Sequence, residues 1–86
     1  MTSQYDKIRP DIRAALDRYA REHSGVGGFL RAVLSNDLME ALGRADDENR
    51  AAIWEICLYV HNEMPSLCHG SPERYKEWIK DTHDAI

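Results

Sequence analysis

Apolar residues recur along this chain at the three- and four-residue spacing of helices, and no segment shows the alternate-residue spacing of a half-buried strand. Ile12, Leu16, Tyr19 and His23 form a first stripe, with Arg13, Asp17, Arg18, Arg21 and Glu22 mostly off it. That pattern predicts an amphipathic helix from Pro10, whose missing N–H suits a first helical position, to His23. Ser24-Gly25-Val26-Gly27-Gly28 ends it, because three glycines within four positions make helix continuation costly.

The next stretch, Gly27 to Gly43, is apolar with an acid inside it. On one continuous helix Phe29, Leu30, Val33, Leu34, Leu38 and Ala41 share a face, and Asp37 falls in its middle. Two arrangements excuse the carboxylate. Either Phe29 to Ser35 is a short helix and Asn36 or Asp37 starts another, with Glu40 completing a capping box and Gly43 following its end. Or the helix is continuous and Asp37 is buried, in which case Arg31 or Arg44 should reach it. The capping box is the simpler expectation. Arg44-Ala45-Asp46-Asp47 is then a link whose aspartates cap the next helix, a role that accounts for the Asp46-Asp47-Glu48 cluster without calcium.

The longest helix is expected from Glu48 to Met64. Ile53, Ile56, Cys57, Val60 and Met64 form one face, Trp54, Leu58 and His61 widen it, and Glu48, Glu55, Tyr59 and Asn62 face solvent. Pro65 stops it. Ser66-Leu67-Cys68-His69-Gly70 is a loop, and Ser71-Pro72-Glu73 is a helix start, with Tyr75, Trp78, Ile79 and Thr82 on one face of the last helix. Residues 1–9 and 83–86 are expected to fray, with Tyr5 and Ile8 as anchors. The fold class is all-α: a single domain over residues 1–86, a small bundle of about five helices around a long apolar central helix.

Composition narrows the class of function. The chain has 11 lysines and arginines against 15 aspartates and glutamates, a formal charge of −4. That balance argues against general DNA or anionic-membrane binding, and Asp17 and Glu22 dilute the basic trio Arg13, Arg18 and Arg21. No apolar run approaches the ~18 residues that span a bilayer, the first residues lack the pattern of a signal peptide, and two cysteines make no disulfide framework. These features predict a cytoplasmic protein. A chain of this size buries only about 60% of its unfolded surface, which makes a homo-oligomer the expected state.

Two constellations could carry chemistry. Cys57 and His61 stand at i and i+4, and Cys68 and His69 come shortly after, so zinc or a thiol enzyme is an alternative, although the spacing is no established zinc pattern. A free cysteine on an apolar face is more often a small buried hydrophobe. The glycine turn before Phe29 could expose amides to an anion, with Arg31 adding charge, which makes Gly27, Gly28, Phe29, Arg31, Asp37 and Arg44 the candidate ligand-binding set. No phosphate-loop or dinucleotide fingerprint accompanies it, so no cofactor is expected.

Gly27-Gly28-Phe29-Leu30-Arg31-Ala32-Val33-Leu34 with Asn36-Asp37-Leu38, then Arg44-Ala45-Asp46, Asn49, Pro65, Gly70-Ser71-Pro72 and Trp78, resembles a family of small proteins of tailed bacteriophages and prophages. Its pattern reads GGFLxAVLxNDL...RAD..N...P..CWGSP...W. The likeness covers about residues 10 to 80, and His69 stands where that pattern has tryptophan. It implies a phage or prophage origin and a bacterial host cell, not a mechanism. Together with the small size and broad apolar faces, it leads to the expectation of a non-enzymatic accessory protein that self-associates. Its partner would be a host defence component or a small anionic or nucleotide ligand.

Overall fold

The computed structural model describes the backbone of residues 4–84 and the side chains of residues 4–80. Helix α1, Pro10–Glu22, opens with proline at its first position and buries Ile12, Leu16 and Tyr19. It ends at His23, which adopts the left-handed conformation (φ 57°) and returns its N–H to the Tyr19 carbonyl. The glycine run is the expected stop, but His23 precedes it and is held in place by its own side chain. Its Nδ1 lies 2.7 Å from the Trp78 carbonyl and its ring lies 4.3 Å from the Trp78 ring.

Helices α2, Gly28–Leu34, and α3, Leu38–Arg44, are separated by a sharp corner. Asn36 takes a left-handed conformation (φ 63°), its N–H reaches the Val33 carbonyl at 3.1 Å, and the Asp37 N–H reaches the Ala32 carbonyl at 2.9 Å. That pair of bonds is a Schellman closure with asparagine in the glycine role. Asp37 then caps α3, its carboxylate accepting from the Glu40 N–H at 3.3 Å. It is therefore an exposed cap and not a buried acid in a continuous helix. Only half of the capping box forms: the Asp37 amide is already bonded to Ala32, and the Glu40 carboxylate pairs with Arg44 at 3.2 Å. Gly43 does not terminate α3, which continues through Arg44 to a cap at Ala45.

Asp46 caps α4, Asp47–Ala51, by accepting from the Asn49 N–H at 2.8 Å. The long apolar central helix expected from Glu48 to Met64 is not present. The backbone breaks at Ala52 (φ −109°, ψ 10°), and α5 is limited to Ile53–Glu63. Its buried side is Ile56, Tyr59 and Val60, while Cys57 and His61 are exposed and Trp54 is 69% exposed. The expected polar stripe is thus wrong at Tyr59. Its ring meets Tyr5 edge-on at 5.0 Å, and its hydroxyl donates to Asp17.

Pro65 leads into a single 3₁₀ turn, Ser66–Cys68, and then α6, Pro72–Asp84, whose first turn is capped by Ser71 Oγ accepting from the Arg74 N–H. Leu16, Tyr19, Leu34, Ile56 and Cys68 are the largest fully enclosed side chains, so α1, α2, α5 and the 3₁₀ turn meet in one core. Each buried Leu or Ile contributes about 1.5–3 kcal/mol. Gly70 (φ +116°) carries the chain from that turn to α6 and donates to the Leu34 carbonyl at 2.8 Å. Helix α6 docks on α1 through Tyr75, stacked on Tyr19 at 5.5 Å, and Trp78, whose Nε1 donates to the Tyr19 carbonyl at 2.8 Å.

The described residues form six α-helices and no strand. Tyr5 and Ile8 are buried against the core. Residues 1–3, 85 and 86, expected to fray, lie outside the described residues, as does the side chain of Thr82. None of the helices is long and apolar enough to cross a membrane among the described residues.

Candidate functional site

A cavity of about 420 Å³ opens where α2, α3 and the start of α6 come together. Four of the six residues in the candidate ligand set, Gly28, Arg31, Asp37 and Arg44, line it. The corner at Asn36 explains how. It folds α3 back against α2, so that Arg31 and Ser35, one helical turn apart, face Asp37, Glu40 and Arg44 on the neighbouring helix.

The other two candidates do different work. Gly27 is the first cap of α2, its carbonyl accepting from the Arg31 N–H at 2.9 Å. Phe29 is half-buried and packs on the core. Helix α2 has only seven residues, which removes the expectation that its amide end serves as an anion site by itself. Charge in the cavity comes instead from side chains. Arg44 pairs with Glu40, and Arg31 lies with its guanidinium carbon 5.8 Å from the centre of the Tyr75 ring. Gly28 leaves room for Arg44, since a Cβ at that position would come within 3.0 Å of Nη1.

Ala32, Ser35, Glu40 and Pro72 also line the cavity and stand outside the candidate set. The i, i+4 spacings of Arg31 with Ser35 and of Glu40 with Arg44 are the available signal, but the sequence does not indicate that the two faces meet.

The cysteine and histidine set does not assemble. Among the described residues no group of three or more His, Cys, Asp or Glu side chains is placed to hold a metal. Cys57 is exposed, contrary to its expected place on the apolar face, and Cys68 is fully enclosed. Burial pushes the Cys68 thiol up to about 11, the reverse of what a thiolate nucleophile needs. His69 is half-buried with its Nε2 enclosed and unpartnered; burial first, then the charges of His61 and Arg74, hold it below the ordinary histidine range.

Comparison of the chain with family models, with curated proteins and with solved structures finds no match.

Proposed function

We propose that the chain is a non-enzymatic accessory protein of phage or prophage origin that associates with a second copy of itself through the outer face of α3. The observation that carries the self-association is the trio Leu38, Met39 and Leu42, three large apolar side chains exposed together on one short helix. Ala41 is the buried residue of α3, and seven residues fall well short of the ~12–15 at which an isolated helix becomes even marginally stable. Trp54 on α5 and Leu67 in the 3₁₀ turn add further exposed apolar surface.

A second copy suits this face. The trio carries no charge, and Glu40 and Arg44 beside it neutralise one another. A twofold contact lets such a patch cover its own equivalent, which a small chain with limited burial favours.

The phage or prophage origin and the bacterial host rest on the sequence resemblance. A finer version, that the protein sequesters a nucleotide signal or blocks a host defence component, rests on the same resemblance and on the glycine turn before Phe29. A second reading, a small anionic or nucleotide ligand, is favoured by the cavity that gathers Gly28, Arg31, Asp37 and Arg44.

Native mass spectrometry of protein purified from infected host cells tests these proposals together. The expected spectrum shows a multiple of the 9.9 kDa chain and a retained small-molecule mass. A strict monomer overturns self-association, and the absence of any retained mass counts against the ligand reading.

A further inference from the structure

The cavity between α2 and α3 is lined by an arginine from each helix, Arg31 and Arg44. Its two acids already have partners: the Asp37 carboxylate accepts from the Glu40 amide, and the Glu40 carboxylate accepts from Arg44 Nε. Arg44 therefore keeps its terminal amino groups unspent on that acid. Arg31 makes no ion pair among the described residues and rests against the Tyr75 ring. A guanidinium held at an aromatic face with its N–H edge unspent presents paired donors that match a tetrahedral oxyanion. A space of about 420 Å³ also lies within the ~300–1,000 Å³ of small-molecule sites, so a bare phosphate would not fill it.

The geometry points to a site for a small organophosphate, with its phosphate between Arg31 and Arg44 and its ester portion against Ala32 and Pro72. The proposal rests on the anionic-ligand reading above and is independent of self-association. Ser35 supplies a hydroxyl donor on the Arg31 side. Glu40 is a built-in opponent, because its carboxylate both repels the incoming phosphate and occupies an Arg44 donor. Neutralising it should tighten binding, an effect that a purely structural Arg44–Glu40 pair does not produce.

Amide chemical-shift titration of the full chain with inorganic phosphate, ribose 5-phosphate, adenosine 5′-monophosphate and benzoate tests this. The two esters are expected to give saturable shifts at Gly28, Arg31 and Ser35 and to bind more tightly than inorganic phosphate. Arg31→Gln and Arg44→Gln should each weaken the esters about tenfold, the loss of one charge-assisted contact. Glu40→Gln should tighten them several-fold, and Gly28→Ala, which displaces the Arg44 tip, should weaken them. All four changes lie at exposed positions, so helical content should be unchanged.

Absence of saturable shifts with every phosphate at ~10 mM, where even millimolar affinity registers, overturns the site. Equal binding of benzoate overturns the phosphate class, equal binding of inorganic phosphate overturns the ester portion, and Glu40→Gln without effect overturns the placement. Ribose 5-phosphate binding as tightly as the nucleotide removes the nucleotide reading while leaving this site in place.

Discussion

His69 is the residue with the clearest conflict between its chemistry and its surroundings. Its Nε2 is enclosed without a partner, and burial together with the positive charges of His61 and Arg74 opposes protonation in the folded chain. The unfolded chain takes up the proton first as pH falls through ~6.5. The contribution of His69 is therefore complete above that pH and is lost as pH falls toward the depressed folded value. Urea denaturation should show His69→Phe losing less stability than the native chain between about pH 7.5 and 5.5.

Tyr19 is the opposite case, a buried polar group that is fully used. Its hydroxyl donates to the Cys68 carbonyl at 2.6 Å, and burial raises its pKa. Tyr19→Phe leaves that carbonyl without its donor and should cost about 1–3 kcal/mol by the same denaturation measurement. A change near zero would mean that water or another donor replaces the hydroxyl.

At the scale of elements, the corner between α2 and α3 determines where the candidate site lies. Its stop and start signals are legible in the sequence: a break at Asn36-Asp37, an acid as cap, and Glu40 three residues on. What is not legible is that Asn36 adopts the left-handed conformation and Gly43 does not. Local sequence offers Asn36 or Asp37 as a helix start and Gly43 as the residue after a helix end, whereas Asn36 closes α2 and Gly43 stays within α3. Gly43 consequently sits inside α3, where a methyl group in place of its hydrogen would meet nothing within 4 Å. Gly43→Ala should therefore raise stability by about 0.5–1 kcal/mol, the ordinary helix-interior preference, visible as a higher Tm.

Helix α5 shows the limit of periodicity. Ala51 and Ala52 are strong helix formers, so nothing local marks the break between α4 and α5. Without that break, the helical wheel assigns Cys57 and Trp54 to the core and Tyr59 to solvent. The arrangement instead buries Tyr59, where its ring meets Tyr5 and its hydroxyl meets Asp17. Those partners lie more than 40 positions away in sequence, beyond the reach of any local pattern. For the candidate site the same distinction holds. Arg31 and Arg44 can be singled out as charges near a glycine turn, whereas Pro72 enters the cavity from α6 only through the tertiary fold.

For the whole molecule, the core is real but small. One enclosed cluster joins α1, α2, α5 and the 3₁₀ turn, and α6 is attached to it through Tyr75 and Trp78. Leu38 is 57% exposed and Met39 80%, positions at which a solitary domain gains nothing from large apolar side chains. The proposed association with a second copy would cover this face, and on that proposal α3 carries them for the contact.

Sedimentation equilibrium of the native chain beside a Leu38→Gln, Leu42→Gln variant tests that claim most directly. The native chain is expected to sediment as a multiple of 9.9 kDa at ~10 μM, a concentration that detects micromolar association, and the variant to shift toward monomer with helical content retained. A native chain that sediments at 9.9 kDa throughout the concentration range, or a variant that associates as strongly as the native chain, would contradict it.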